Sequence, residues 1–249
     1  MNKKLVHIYN WWRADNLTME RMIRAKRTWK EFYKNDKYGV LIAEFSLENK
    51  QRSSLSLGEK KIAPFLKDVI NYGLSAYPDC DLFLYTNTDI SLVTNASDFV
   101  RDSLNKWGCG YSHRVDFSEK DCPEDTITRD QLKGKLSLGS WSAGSDIFFF
   151  TRRWWNKYKE NLPDALIGFE GWDACVMAVM LKYGLPEPIK WVSYHQKHQP
   201  HWKKHRLSSN GQLYNRRVCA EWAIKNNLGH LINYGSFLFK LPTPYNVII

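Results

Sequence analysis

The stretch Asp81-Leu82-Phe83-Leu84-Tyr85-Thr86 decides the fold. After its first residue it is apolar without interruption up to Thr86, the pattern of a strand buried on both faces. It runs directly into Asn87-Thr88-Asp89, so a polar turn carrying a carboxylate closes the strand. Upstream, residues 4–9 and 40–43 read as two more short apolar strands. Between them Met19, Met22, Ile23, Lys26, Trp29, Phe32 and Tyr33 recur at helical spacing, with Thr18 as the expected N-cap. A second helix is expected over residues 62–76, stopped by Tyr77-Pro78-Asp79. Strand, helix, strand, helix, strand is the order of a parallel sheet joined by crossover helices.

Downstream the pattern continues. Helices are expected near residues 96–106, 171–183 and 214–226, strands near 109–112 and 146–151, and a last core strand at 190–195. Residues 117–135 carry many charges and no clear period, which predicts a flexible loop or lid. The economical organisation is one α/β catalytic domain over residues 1–205, a mostly parallel central sheet flanked by helices. A C-terminal helical appendage, residues 206–249, packs on that domain.

Composition sets the outer bounds. The chain has 249 residues, 43% hydrophobic and 25% charged, enough apolar material for a sizeable core. Lys and Arg outnumber Asp and Glu by 36 to 26, a formal charge of +10. Such a surplus favours polyanionic or phosphate-bearing partners without choosing among them. The 11 Trp, 13 Tyr and 12 Phe are mainly core material, some of it fit to stack on sugar rings or bases. The five cysteines lack CxxC spacing, which argues against a disulfide framework or a thiolate zinc site and suits a cytoplasmic location. No run approaches the ~18 apolar residues that would span a bilayer.

In open sheets, ligands sit at the carboxyl ends of the strands, where Asp89 falls. There a carboxylate can hold a divalent cation against a diphosphate, because hard cations prefer oxygen ligands. The alternative is a turn in which Asn87 and Asp89 merely satisfy backbone groups. The histidines at 195, 198, 201 and 205 form the densest such cluster, interleaved with Lys197, Lys203, Lys204 and Arg206. They read either as a basic surface segment or as a source of metal ligands. Asp173 opens a helix, where the positive end of the dipole favours the ionised carboxylate.

Five blocks in order resemble the GT-A-fold, nucleotide-sugar-dependent glycosyltransferases. Asn87-Thr88-Asp89 looks like the Asn-x-Asp form of the DxD motif. The segment from Glu59 to Asp68, lying before the strand, resembles the helix beside the nucleotide. Ser142-Ala143-Gly144-Ser145-Asp146 resembles the small-residue turn under the donor sugar. Ile167-Gly168-Phe169-Glu170-Gly171-Trp172-Asp173 resembles the acidic segment facing the acceptor, and His195-Gln196-Lys197-His198 the late histidine segment.

The resemblance implies transfer of a sugar from a nucleoside diphosphate sugar, UDP-sugars first, to a hydroxyl acceptor. Asp173 or Glu170 would be the general base, giving inversion at the anomeric carbon. Donor binding falls to Asn10, Arg13, Lys61, Asp68, Asn87, Thr88, Asp89, Arg114, Gly144 and Asp146. The metal, Mn or Mg, falls to Asp89 with His195 or His198. With Asn87 in the first acidic position, metal affinity is lowered or the metal is dispensable. The acceptor is an anionic glycan, a lipid-linked sugar or a modified base in DNA. The last draws on the basic run from Lys197 to Arg217 with Trp202 and Tyr214. A non-catalytic nucleic-acid-binding α/β protein is the competing class, and no standard motif of that kind is present.

Overall fold

A computed structural model describes residues 2–11, 15–46, 54–56, 62–142, 145–184, 188–198 and 210–228. The predicted Arg13, Lys61 and Gly144 lie outside these, as do His201, His205 and the basic residues 203–206.

Strand β1 (Asn2–Asn10) leads to helix α1 (Asn16–Asn35), β2 (Val40–Phe45), the short strands β3 (Ser54–Ser56) and β4 (Ile62–Pro64), α2 (Leu66–Ala76) and β5 (Cys80–Thr86). Then come β6 (Ile90–Leu92), α3 (Ala96–Trp107), β7 (Cys109–Ser112), β8 (Val115–Phe117), α4 (Arg129–Gly134), β9 (Gly139–Trp141) and β10 (Ile147–Thr151). The last elements among the described residues are α5 (Arg152–Tyr158), α6 (Trp172–Lys182), β11 (Ser193–Gln196) and α7 (Asn210–Asn226).

The central sheet has the order β2-β1-β5-β10-β7. β1 is parallel to both β2 and β5, and β10 alone runs against its neighbours. The α/β class with helices on both faces is therefore as the sequence reads. Burial explains the apolar run in β5. Phe83 and Tyr85 enter one core with Val6, Ile8, Phe148 and Phe150 under α2 and α6. Leu84 enters the other with Leu5, Phe149 and Trp29 under α1. Successive strand residues point to opposite faces, so both faces must be apolar.

Four expectations need correction. Helix α1 is capped by Asp15, whose carboxylate accepts the Thr18 N–H at 2.9 Å, and Thr18 is a buried residue of the first turn. Residues 62–64 are a strand, not the start of α2. Pro64 disfavours helical backbone in the residue before it and offers no N–H, so the helix begins at Leu66. Residues 117–135 are neither irregular throughout nor detached. Cys122, Ile127 and Leu132 are buried in the second core, Tyr194 Oη donates to the Asp125 carbonyl at 3.2 Å, and α4 carries a Thr128/Gln131 capping box. Finally, β11 lies outside the central sheet. It pairs antiparallel with β6 and parallel with β8, in a second sheet of order β6-β11-β8-β9.

This second sheet positions the site. The turn over residues 87–89 is where the chain leaves β5 in the central sheet and enters β6 in the other. Helix α1 pins β6: Trp29 Nε1 donates to the Ile90 carbonyl at 2.8 Å, and the Leu92 N–H donates to Thr28 Oγ1 at 3.0 Å. Helix α7 packs on α6 and contributes Cys219, Trp222 and Ala223 to the first core.

Candidate active site

The central strands converge on one edge. Asn10 ends β1, Asn87 follows β5, and the start of β10 lies level with the end of β5 through the Ile147–Thr86 register. The Asn87 N–H donates to the Asp146 carbonyl at 2.9 Å and ties the two strand ends together. Behind them, His7 is wholly buried between Tyr33 Oη (2.7 Å) and Thr86 Oγ1 (2.8 Å). Burial lowers its pKa to about 3, so it is a neutral strut under the last residue of β5.

Asp89 meets both late histidines. Its Oδ2 lies 3.0 Å from His198 Nε2 and 3.4 Å from His195 Nε2. These three side chains bring their ligand atoms within 4.8 Å of one another. Burial pushes the Asp89 carboxyl up, but hydrogen bonds from His195 and His198 outweigh it and hold it well below the usual range. Burial pulls His195 down, yet Asp116 and Asp89 hold it above its ordinary value.

The network continues away from Asp89. His195 Nδ1 lies 3.0 Å from Asp116 Oδ1, which also accepts from Arg114 Nε at 2.8 Å. Arg114 in turn forms an ion pair with Asp146 Oδ2. Asp146 Oδ1 accepts from Asn87 Nδ2 at 2.6 Å, while Asn87 Oδ1 accepts from Tyr85 Oη at 2.8 Å. Asn87 is thus a clamp between Tyr85 and Asp146. Its amide N–H is required there, because a carboxylate in its place would face the Asp146 carboxylate.

Asp173 opens α6 and accepts backbone N–H groups of Ala174 and Ser145, which places it beside the Asp146 turn. Burial raises its pKa, against those N–H groups and the Arg114 charge. Glu170 is engaged elsewhere. Its Oε2 accepts from Arg216 Nη2 at 2.8 Å and Gln212 Nε2 at 2.5 Å, both on α7. This carboxylate anchors α7, and its partners are not those of the Asp89 network. Asp68 sits in the first turn of α2 and Thr88 is buried in the 87–89 turn. The Asn10 Oδ1 is buried with no partner among the described residues.

The donor set fits a divalent cation: two imidazole nitrogens and a carboxylate oxygen suit Mn²⁺ or Zn²⁺ better than a purely oxygen-loving ion. Motif reasoning does not connect Asp116 to His195, and it gives Gln196 no role of its own. Gln196 Oε1 accepts from Arg24 Nη1 at 2.7 Å and fastens β11 to α1. In sequence Asp116 shows only as the polar residue between buried Val115 and Phe117 of β8, whereas β11 has no such alternation.

Fold and site together define an α/β protein with a histidine–carboxylate cluster at the carboxyl ends of its central strands, where open sheets bind ligands. No family model and no curated protein matches the sequence. Among solved structures, the chain is similar to a glycosyltransferase involved in the glycosylation of the major capsid of PBCV-1. The identity is 12% and the TM-score 0.34, over 63% of this chain and 64% of that one, less than two thirds of its length.

Proposed function

We propose that this chain is a glycosyltransferase that moves a sugar from a nucleoside diphosphate sugar to a hydroxyl acceptor. The observation that carries the reading is the convergence of Asp89, His195 and His198 with the Arg114–Asp146 pair and Asp173. Each part has a task in this chemistry. Asp89, His195 and His198 would hold a divalent cation, which when bound neutralises charge on the leaving diphosphate. Asp146, fixed by Arg114 and Asn87, accepts hydrogen bonds from the hydroxyls of the donor sugar. At the end of β1 Asn10 offers an acceptor with no partner among the described residues, suited to the nucleoside.

Asp173 is the general base. Burial lifts its pKa toward the working range, which makes it a stronger proton acceptor once ionised. It takes the acceptor proton as the hydroxyl oxygen attacks the anomeric carbon in line with the departing diphosphate, so the configuration inverts. Glu170 is left to its structural pair with Arg216.

UDP-sugars are the first donors to try, with GDP-sugars beside them and with and without Mn²⁺. Acceptors should span anionic glycans, lipid-linked sugars and DNA carrying a modified base, since the +10 charge suits all three. Five free, buried thiols suit a cytoplasmic location. Among the described residues no helix is long and apolar enough to cross a membrane. Transfer or slow hydrolysis of one donor, lost in Asp89→Ala, supports the reading. Failure to bind or cleave any donor overturns it.

A further inference from the structure

We propose that Asp116 is a positioning residue that sets the tautomer of His195 and so makes His195 Nε2 a cation ligand. This rests on the reading of Asp89, His195 and His198 as a cation site.

The first support is register. Asp116 on β8 is the direct partner of His195 on β11 in a parallel ladder, so the two side chains leave the second sheet on the same face. The second is chemistry. An ionised carboxylate only accepts hydrogen bonds, so the 3.0 Å contact to Nδ1 requires the proton on Nδ1. In the neutral ring, the form that binds a cation, the lone pair is then on Nε2, the atom that faces Asp89 Oδ2 at 3.4 Å. With the opposite tautomer, Nε2 would carry hydrogen and could not bind a cation.

The third support is rigidity. Asp116 Oδ1 also accepts from Arg114 Nε at 2.8 Å, and Arg114 is itself paired with Asp146. Asp116 is flanked in the sheet by His195 on one side and Ser140 of β9 on the other. Its carboxylate is therefore held rather than free to rotate. A metal-ligating histidine commonly donates its second ring N–H to such a carboxylate, which orients the ring and raises its basicity. His198 has a different arrangement: its Nε2 faces Asp89 at 3.0 Å, and it belongs to the segment that follows β11.

The test is a Co²⁺ titration followed by the visible absorption of the bound ion, on wild type, Asp116→Asn and Asp116→Ala, with far-UV circular dichroism on each. The Asn side chain can still accept from Nδ1–H but has lost its charge. Ala offers nothing. Expected is a Co²⁺ affinity about 10–100-fold lower in Asp116→Ala with an altered spectrum, and an intermediate loss in Asp116→Asn. Wild-type affinity and spectrum in a folded Asp116→Ala overturn the proposal and leave the cation site standing. If Asp116→Ala is unfolded, Asp116→Asn decides, and unchanged binding there overturns the proposal. A wild-type protein that binds no Co²⁺ overturns both the cation site and this refinement of it.

Discussion

His7 makes the stability of this protein fall in mild acid by an amount that the structure fixes. The ring is wholly buried, with both nitrogens engaged by Tyr33 and Thr86, and its pKa lies near 3 against 6.5 for an exposed histidine. Below pH 6.5 the unfolded chain binds a proton at this residue that the native chain refuses. The unfolded state is then favoured by about 1.4 kcal/mol for each pH unit until the folded pKa is reached. Between about pH 7.5 and about pH 5 the loss from His7 alone is about 2 kcal/mol. The assay is urea unfolding, read by tryptophan fluorescence, on wild type and His7→Gln at both pH values. Gln keeps a donor and an acceptor but does not titrate, so other groups cancel in the difference. Wild type should lose about 2 kcal/mol more than the variant. Equal pH dependence in the two proteins would show that His7 is not held neutral, and would refute the strut under Thr86.

Other substitutions probe the site and its frame. Asp173→Asn should lower kcat by about 10²–10⁴-fold, the usual contribution of a positioned base. Because burial raises the Asp173 pKa, its ionised form costs stability above that pKa, so the same variant should melt higher at neutral pH. In wild type, kcat/KM should fall as pH drops through this raised value, with the acid limb above that of an ordinary aspartate. Asn87→Asp removes the N–H donated to Asp146 and sets two carboxylates face to face; it should cost about 1–3 kcal/mol by thermal melt. It should also give no gain in Mn²⁺ affinity. Gly110 lies opposite Phe149 in the sheet, and a Cβ there would meet the Phe149 ring and come within 2.7 Å of Ser103 Oγ. Gly110→Ala should therefore cost about 1–3 kcal/mol in urea unfolding by overpacking.

Local patterns made much of the fold legible. The run from Leu82 to Tyr85 reads as a doubly buried strand because both of its faces meet apolar helices. The α1 stripe of Met22, Trp29 and Phe32 reads equally well, being periodic and buried. Pro64 marked the start of α2, but the helical spacing after it extended the expected helix backwards over Ile62. Which sheet β11 joins depends on pairing with β6 and β8, more than 70 residues away, and no local signal encodes that. The site divides along the same line. Asp89 and the late histidines stand out by residue type and spacing. The role of Asn87 depends on Tyr85 and Asp146, and that of Glu170 on Arg216 of a helix still to come, so the resemblance set Asn87 among the donor-binding residues and Glu170 among the bases. The pairing of Asp116 with His195 becomes visible only through their register.

The most direct measurement is a Mn²⁺ titration followed by electron paramagnetic resonance, with and without UDP, on wild type, Asp89→Ala and His198→Ala. If Asp89, His195 and His198 share a cation that faces a diphosphate, wild type removes free Mn²⁺ from solution and UDP tightens the binding. Both variants then lose it. Equal binding in wild type and Asp89→Ala, or none in wild type with UDP present, would contradict the assignment.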